Sequence, residues 1–354
     1  MTKSQKIKNF NPSQVGIKNG NLFGLPFSYE DCPIVILPVP WDVTVSYGDG
    51  THAGPEAILA ASPQLDFYDN DNIEAWKTGF HLLPISKEIK EINFDLRELS
   101  NRYISFLEEG GKLDGNEQMR EILAKVNEGC LHLKESVKER CLKLLDDNKI
   151  ACLLGGDHST PLGLYEAIAA KKGDFGILQI DAHADLRNAY EGFKFSHASI
   201  FNNALKIPQL KKLVQVGIRD FCEEEANVCD NDSRVKIFFD RDLKECDYNG
   251  ITWDSVCDDI VKELPKNVHI SFDIDGLDPK LCPNTGTPVP GGLEFEQVLH
   301  LFRKVIKSGR KIISFDLCEV SPDASGGNND EWDANVGAWL LWKLCVLTGI
   351  SNEI

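Results

Sequence analysis

From residue 150 to residue 315 the chain repeats one rhythm, in which a short apolar run ends and a stretch with helical spacing follows. The runs are 150–154, 175–180, 213–217, 235–239, 268–272 and 311–315. Apolar runs without in-and-out alternation belong to strands buried on both faces, and strands separated by helices build parallel βαβ units. Helices are expected over 160–170, 253–264, 294–308 and 335–347. A longer one is expected over 117–148, with apolar positions at Ile122, Val126, Leu131, Leu133, Val137 and 142–145. Upstream, 32–38 reads as a further strand, 46–51 as a glycine-rich loop and 54–61 as a helix with proline in its first turn. Residues 83–116 show no clear period. Residues 1–30 read as an arm lying over the surface. No internal repeat, low-complexity tract or linker divides the remainder, so a single α/β domain over 31–354 is expected.

Three of these runs stop and give way at once to histidine and aspartate, and the carboxyl ends of strands are where open α/β sheets build their sites. The clusters are Gly155-Gly-Asp-His-Ser159, Asp181-Ala-His-Ala-Asp185 and Ser271-Phe-Asp-Ile-Asp275. Side chains alternate in an extended chain, so Asp181, His183 and Asp185 share one side, opposite the small Ala182 and Ala184; Asp273 and Asp275 repeat the geometry. Converging carboxylates repel one another unless a cation lies between them. The set His158, Asp181, His183, Asp185, Asp273 and Asp275 contains no cysteine, unlike most structural zinc sites. It is enough for two ions sharing bridging carboxylates, and its oxygen and nitrogen donors favour manganese or a similar first-row divalent ion. Two such ions about 3.5–4 Å apart can activate a water. An isolated Asp-x-Asp more often caps a helix or makes a turn; three clusters at three strand ends shift that balance. His52, His81, His132, His269 and His300 lack such company and read as structural.

The charge balance, 38 Lys+Arg against 55 Asp+Glu for a net −17, leaves no basic cluster for a phosphate backbone. No nucleic-acid partner is expected. The acidity suits a cationic substrate only weakly, and solubility is the better explanation of it. No stretch reads as a membrane span or as an apolar signal core, so a soluble, cytoplasmic protein with no membrane partner is expected. Eleven scattered cysteines, with no Cys-x-x-Cys pair, read as reduced thiols.

At these residues the sequence resembles the ureohydrolase family, the arginases and agmatinases, which hydrolyse guanidino compounds to urea and an amine. The three signatures occur in order, and the resemblance runs from about residue 33 to 348. It implies a three-layer α/β/α fold with a mainly parallel central sheet, and two manganese ions, nickel being the alternative. By the same resemblance His158 and Asp185 bind one ion, His183 and Asp275 the other, and Asp181 and Asp273 bridge. Asp185 also orients the attacking water. His197 matches a proton-shuttling histidine, Glu319 the carboxylate that grips the guanidinium, and Thr287 a pocket-lining threonine. Arginases carry an Asn two positions beyond the last aspartate of the second motif, where this chain has Arg187; the run Asp185-Leu-Arg-Asn188 with Tyr190-Glu-Gly192 looks more like agmatinases. Agmatine is therefore the expected substrate. Asn188 keeps arginine open, and guanidinobutyrate, guanidinopropionate and free guanidine, the last with nickel, are further alternatives. Metal-dependent deacetylases typically keep a single zinc, against which the six-ligand set argues; a non-catalytic homologue is disfavoured because no expected ligand is missing. The resemblance implies a homo-oligomer, a trimer or hexamer. The arm, residues 83–116 and the acidic, Asn-rich stretch 326–334 depart from a compact agmatinase, and are where the pocket mouth or subunit contacts are expected to differ.

Overall fold

Every apolar run read as a strand is one, and all pair in parallel. The computed structural model describes residues 1–322 and 331–354. Its strands are β1 (Ile34–Val39), β2 (Phe80–Leu82), β3 (Ile150–Gly155), β4 (Phe175–Ile180), β5 (Leu210–Ile218), β6 (Val235–Phe239), β7 (Asn267–Asp273) and β8 (Lys311–Cys318). They form one sheet in the order β2-β1-β3-β8-β7-β4-β5-β6. The helices are α1 (Lys3–Asn9), α2 (Gly54–Ala61), α3 (Lys87–Glu108), α4 (Glu117–Asp146), α5 (Leu162–Lys172), α6 (Ile200–Ala204), α7 (Glu223–Asn231), α8 (Asp240–Tyr248), α9 (Trp253–Lys262), α10 (Phe295–Lys307) and α11 (Trp332–Ser351).

Successive residues of each strand face opposite layers. Ile34 and Ile36 of β1 join the core shared with α2, α9, α10 and α11, whereas Val35, Leu37 and Val39 join the core shared with α3, α4, α5 and α6. This is the three-layer α/β/α arrangement. Helix α11 is apolar almost all round, and by length and composition alone it would pass for a membrane span. That character belongs to a helix buried on most sides, and here Leu340, Leu341, Trp342 and Leu344 through Leu347 are all buried. All eleven cysteines are free thiols.

Residues 83–116 contain a regular amphipathic helix, α3. Its inward positions are Ile89, Asn93, Leu96, Ser100, Tyr103 and Ile104. Two of them are polar, which hid the apolar period. Asn93 exchanges hydrogen bonds with the backbone and side chain of Asp42 at 2.8 and 2.9 Å, and Ser100 donates to the Val43 carbonyl.

The arm expected over 1–30 divides. Residues 12–20 lie on the surface for the most part, but Leu22, Phe23, Leu25 and Phe27 are buried in the α11-side core. Phe23, with φ +58°, packs edge-on against Phe80 and Trp342 at ring separations of 6.2 and 5.1 Å. Phe23, Leu25 and Phe27 alternate as in a strand, but Gly24 and Pro26 between them and Asn19-Gly-Asn21 before them read as turn, which masked them as core. Of the stretch singled out at 326–334, residues 326–330 lie outside the described residues.

Truncating a buried phenylalanine costs about 3–5 kcal/mol. Phe23→Ala is expected to lower the unfolding free energy by that amount, read as a fall in the denaturation midpoint at an unchanged m-value, and a midpoint shift near zero would show that Phe23 adds no stability.

Candidate metal centre

The sheet order explains how clusters more than a hundred residues apart meet. Strands β3, β8, β7 and β4 are consecutive neighbours, and neighbouring strands lie about 4.8 Å apart. Their carboxyl ends therefore present, side by side, His158 after β3, Glu319 after β8, Asp273 and Asp275 at β7, and Asp181, His183 and Asp185 after β4.

His158 Nδ1 lies 3.0 Å from Asp181 Oδ2 and 3.2 Å from both Asp185 Oδ2 and Asp273 Oδ2. Beside this set, His183 Nδ1 lies 3.0 Å from Asp275 Oδ2 and 3.7 Å from Asp181 Oδ1. Asp181 thus belongs to both sets, one oxygen to each. The six side chains suit divalent cations by spacing, because donors about 2.1 Å from a shared ion and at right angles to one another stand about 3 Å apart. They suit them by saturation too, because His158 Nδ1 is buried and makes no hydrogen bond despite three carboxylate oxygens around it. They suit them by charge. Burial, with the neighbouring Asp181 carboxylate, pushes Asp185 up to about 7; burial, with Asp275 and Asp181, holds Asp273 well above the carboxylate range. Such shifts mark negative charge gathered without a counter-ion.

Hydrogen bonds from side chain and backbone orient two of the ligands. Asp181 accepts from Gln179 Nε2 at 2.8 Å and from the His183 N–H at 2.6 Å. Asp275 accepts from the Ala182 N–H at 3.0 Å, tying the ends of β4 and β7 together. Asp185 and Glu319 both adopt left-handed backbone, φ +54° and +62°, a conformation uncommon outside glycine and often found at functional sites. Glu319 is fixed through its N–H to the Gly156 carbonyl at 2.8 Å and its own carbonyl to Thr285 Oγ1 at 2.8 Å. Gly156 has no room for a side chain, because a Cβ there would stand 1.9 Å from the Trp41 carbonyl oxygen.

A cavity of about 140 Å³ opens beside His183 and Asp185, and Arg187, Tyr190, His197 and Thr287 line it. Burial pushes the His197 imidazole down to about 3, so it is neutral, and its Nδ1 has no partner. Thr287 Oγ1 lies 3.4 Å from Asp275 Oδ2. Glu319 sits behind the histidine, buried, with Oε1 accepting the His158 N–H at 2.8 Å. Asn188 is exposed and does not line the cavity; its neighbour Arg187 does, with its guanidinium 4.8 Å from the Tyr190 ring.

Arg219 escaped the sequence reading. Its guanidinium donates to the carbonyls of Gly217, Asp275, Leu277 and Val289 at 3.1, 2.7, 3.2 and 3.0 Å, joining a ligand to the segment that carries Thr287. The available signal was its place directly after a strand, as in the other three clusters.

A model of the arginase family matches residues 32–346. An N(1)-aminopropylagmatine ureohydrolase of Thermus thermophilus is 32% identical over 295 residues, covering 83% of this chain and 85% of that protein. A guanidinobutyrase of Pseudomonas aeruginosa is 29% identical over 335 residues, 92% of this chain and 89% of that protein. Among solved structures, the agmatine ureohydrolase of Thermoplasma volcanium has a TM-score of 0.70 at 24% identity, with 99% of each chain covered.

Asp273→Ala is expected to lose bound divalent cation without losing the fold, as read by elemental analysis and circular dichroism after dialysis. A folded variant with wild-type cation content would contradict the ligand set.

Proposed function

The chain belongs to the arginase family, and from that premise we propose that it hydrolyses a guanidino compound without an amino-acid head group, agmatine first among them, to urea and an amine. The family is that of binuclear metal-dependent hydrolases of carbon–nitrogen bonds. The observation that carries the reading is the pair of donor sets sharing Asp181 next to the cavity.

In this reading His158 and Asp185 hold one cation, His183 and Asp275 the other, and Asp181 and Asp273 lie between them. The oxygen-rich set favours manganese over nickel. When bound, the cations supply Lewis acidity, lowering the pKa of water toward neutrality and polarising the substrate carbon. Asp185 accepts a hydrogen bond from the attacking water and orients it. Glu319 pairs with the guanidinium, a charge-assisted contact that a carboxylate is suited to make, and Thr287 bounds the pocket. His197, neutral at rest, takes a proton and delivers it to the leaving amine. The exposed position of Asn188 removes the support it lent to arginine. A homo-oligomer, trimeric or hexameric, is proposed on family resemblance, and eleven free thiols support a reducing, cytoplasmic setting.

Protein reconstituted separately with manganese and nickel is to be assayed for urea release from agmatine, arginine, guanidinobutyrate, guanidinopropionate and free guanidine. Urea from agmatine with manganese is expected; urea from none of the five would remove the amidinohydrolase reading for these substrates. His197→Ala is expected to keep its cations while turnover falls about 10²–10⁴-fold, the usual worth of a general acid–base group. Unchanged turnover would take His197 out of the proton path.

A further inference from the structure

Four polar side chains, Tyr165, His269, Ser271 and Asp316, are completely buried in one cluster on the Nε2 side of His158. Asp316 is the hub. Ser271 Oγ lies 3.0 Å from Asp316 Oδ1, while Tyr165 OH and His269 Nε2 lie 3.0 and 2.6 Å from Asp316 Oδ2. His158 Nε2 lies 2.9 Å from Ser271 Oγ, and Tyr165 OH is also 2.9 Å from that oxygen.

Counting hydrogens fixes the direction of these bonds. A carboxylate only accepts, and a hydroxyl has a single hydrogen to give. Besides the Ser271 hydrogen bond at 3.0 Å, Asp316 Oδ1 has, among the described residues, only the long, weak one of the Cys318 thiol at 3.8 Å, so Ser271 gives its hydrogen to this carboxylate oxygen, the stronger acceptor, and Tyr165 and His269 give theirs to Oδ2. Were the Tyr165 hydrogen turned to Ser271 instead, Ser271 would still have none left for the histidine. Ser271 Oγ thus meets His158 Nε2 with a lone pair, so Nε2 must carry the ring proton. In the neutral imidazole Nδ1 is then a bare lone pair, the form in which histidine binds a cation. This agrees with the absence of any hydrogen bond at Nδ1 amid three carboxylate oxygens.

We infer that Asp316, acting through Ser271, is a positioning residue that fixes the His158 proton on Nε2 and so commits Nδ1 to the cation. His269, 2.6 Å from Oδ2, holds Asp316 in place. The device rests on reading His158 as a cation ligand, and it extends the common pairing of a ligating histidine with a carboxylate by one intervening hydroxyl.

Asp316→Asn keeps the size of the side chain and reverses its polarity. Its amide NH₂ donates to Ser271 Oγ, the Ser271 hydrogen turns to His158 Nε2, and the ring proton moves to Nδ1. Tyr165→Phe removes one bond of the same cluster and leaves the carboxylate in place. Free Mn²⁺ measured by electron paramagnetic resonance during titration gives the dissociation constant of each protein. Asp316→Asn is expected to bind about 10–100-fold more weakly, and Tyr165→Phe close to wild type. Nitrogen-15 spectra of the zinc-loaded wild type are expected to place the His158 proton on Nε2, a readout that needs no variant to fold. Unchanged affinity in Asp316→Asn, equal weakening in both variants, or a proton on Nδ1 in the zinc-loaded wild type overturns the inference while the cation site stands. A wild type that binds no Mn²⁺ overturns the site itself and the inference with it.

Discussion

Four aspartates, all buried, meet at the carboxyl ends of two strands of one sheet with a glutamate beside them, and no such gathering is stable in a low-dielectric interior without positive charge. Two histidines supply some, but they serve a cation better as neutral ligands than as counter-charges. The demand for divalent ions is therefore built into the chain before any comparison is made. Much of the nearby backbone answers to that demand, including the Ala182 N–H on Asp275 and the His158 N–H on Glu319.

The sheet order turns the demand into a site. The chain leaves β3, builds β4 three places along, and fills the gap only at the end with β7 and β8. Every ligand lies at or within a few residues of the carboxyl end of one of these central strands, so buried, rigid elements anchor the segments that carry them. The two left-handed residues, Asp185 and Glu319, turn the chain out of strand geometry just where a side chain must face the centre. Arg219 performs the complementary task at β5, drawing four carbonyls together. Loops supply much of the cavity wall, Arg187 and Tyr190 among them.

Most of this architecture was legible because burial on both faces leaves an unmistakable apolar run, and because the metal ligands sit in short motifs beside those runs. What escaped did so for physical reasons. Helix α3 hides its period because Asn93 and Ser100 spend inward positions on polar bonds to the 42–43 segment. Residues 22–27 enter the core through one short 3-10 turn, and the Gly24 and Pro26 between their apolar side chains read as loop. Asn188 is exposed while its neighbour Arg187 lines the cavity, a difference set by the turn after Asp185 that residue spacing does not reveal. The cluster behind His158 was beyond reach, since Tyr165, His269, Ser271 and Asp316 come from one helix and two strands, and His269 carried no signal of its own.

Anomalous diffraction from crystals soaked in manganese tests the central claim most directly. Two manganese peaks about 3.5–4 Å apart are predicted, one against His158 and Asp185, the other against His183 and Asp275, with Asp181 and Asp273 touching both. A single peak, or peaks away from these six residues, would contradict the account.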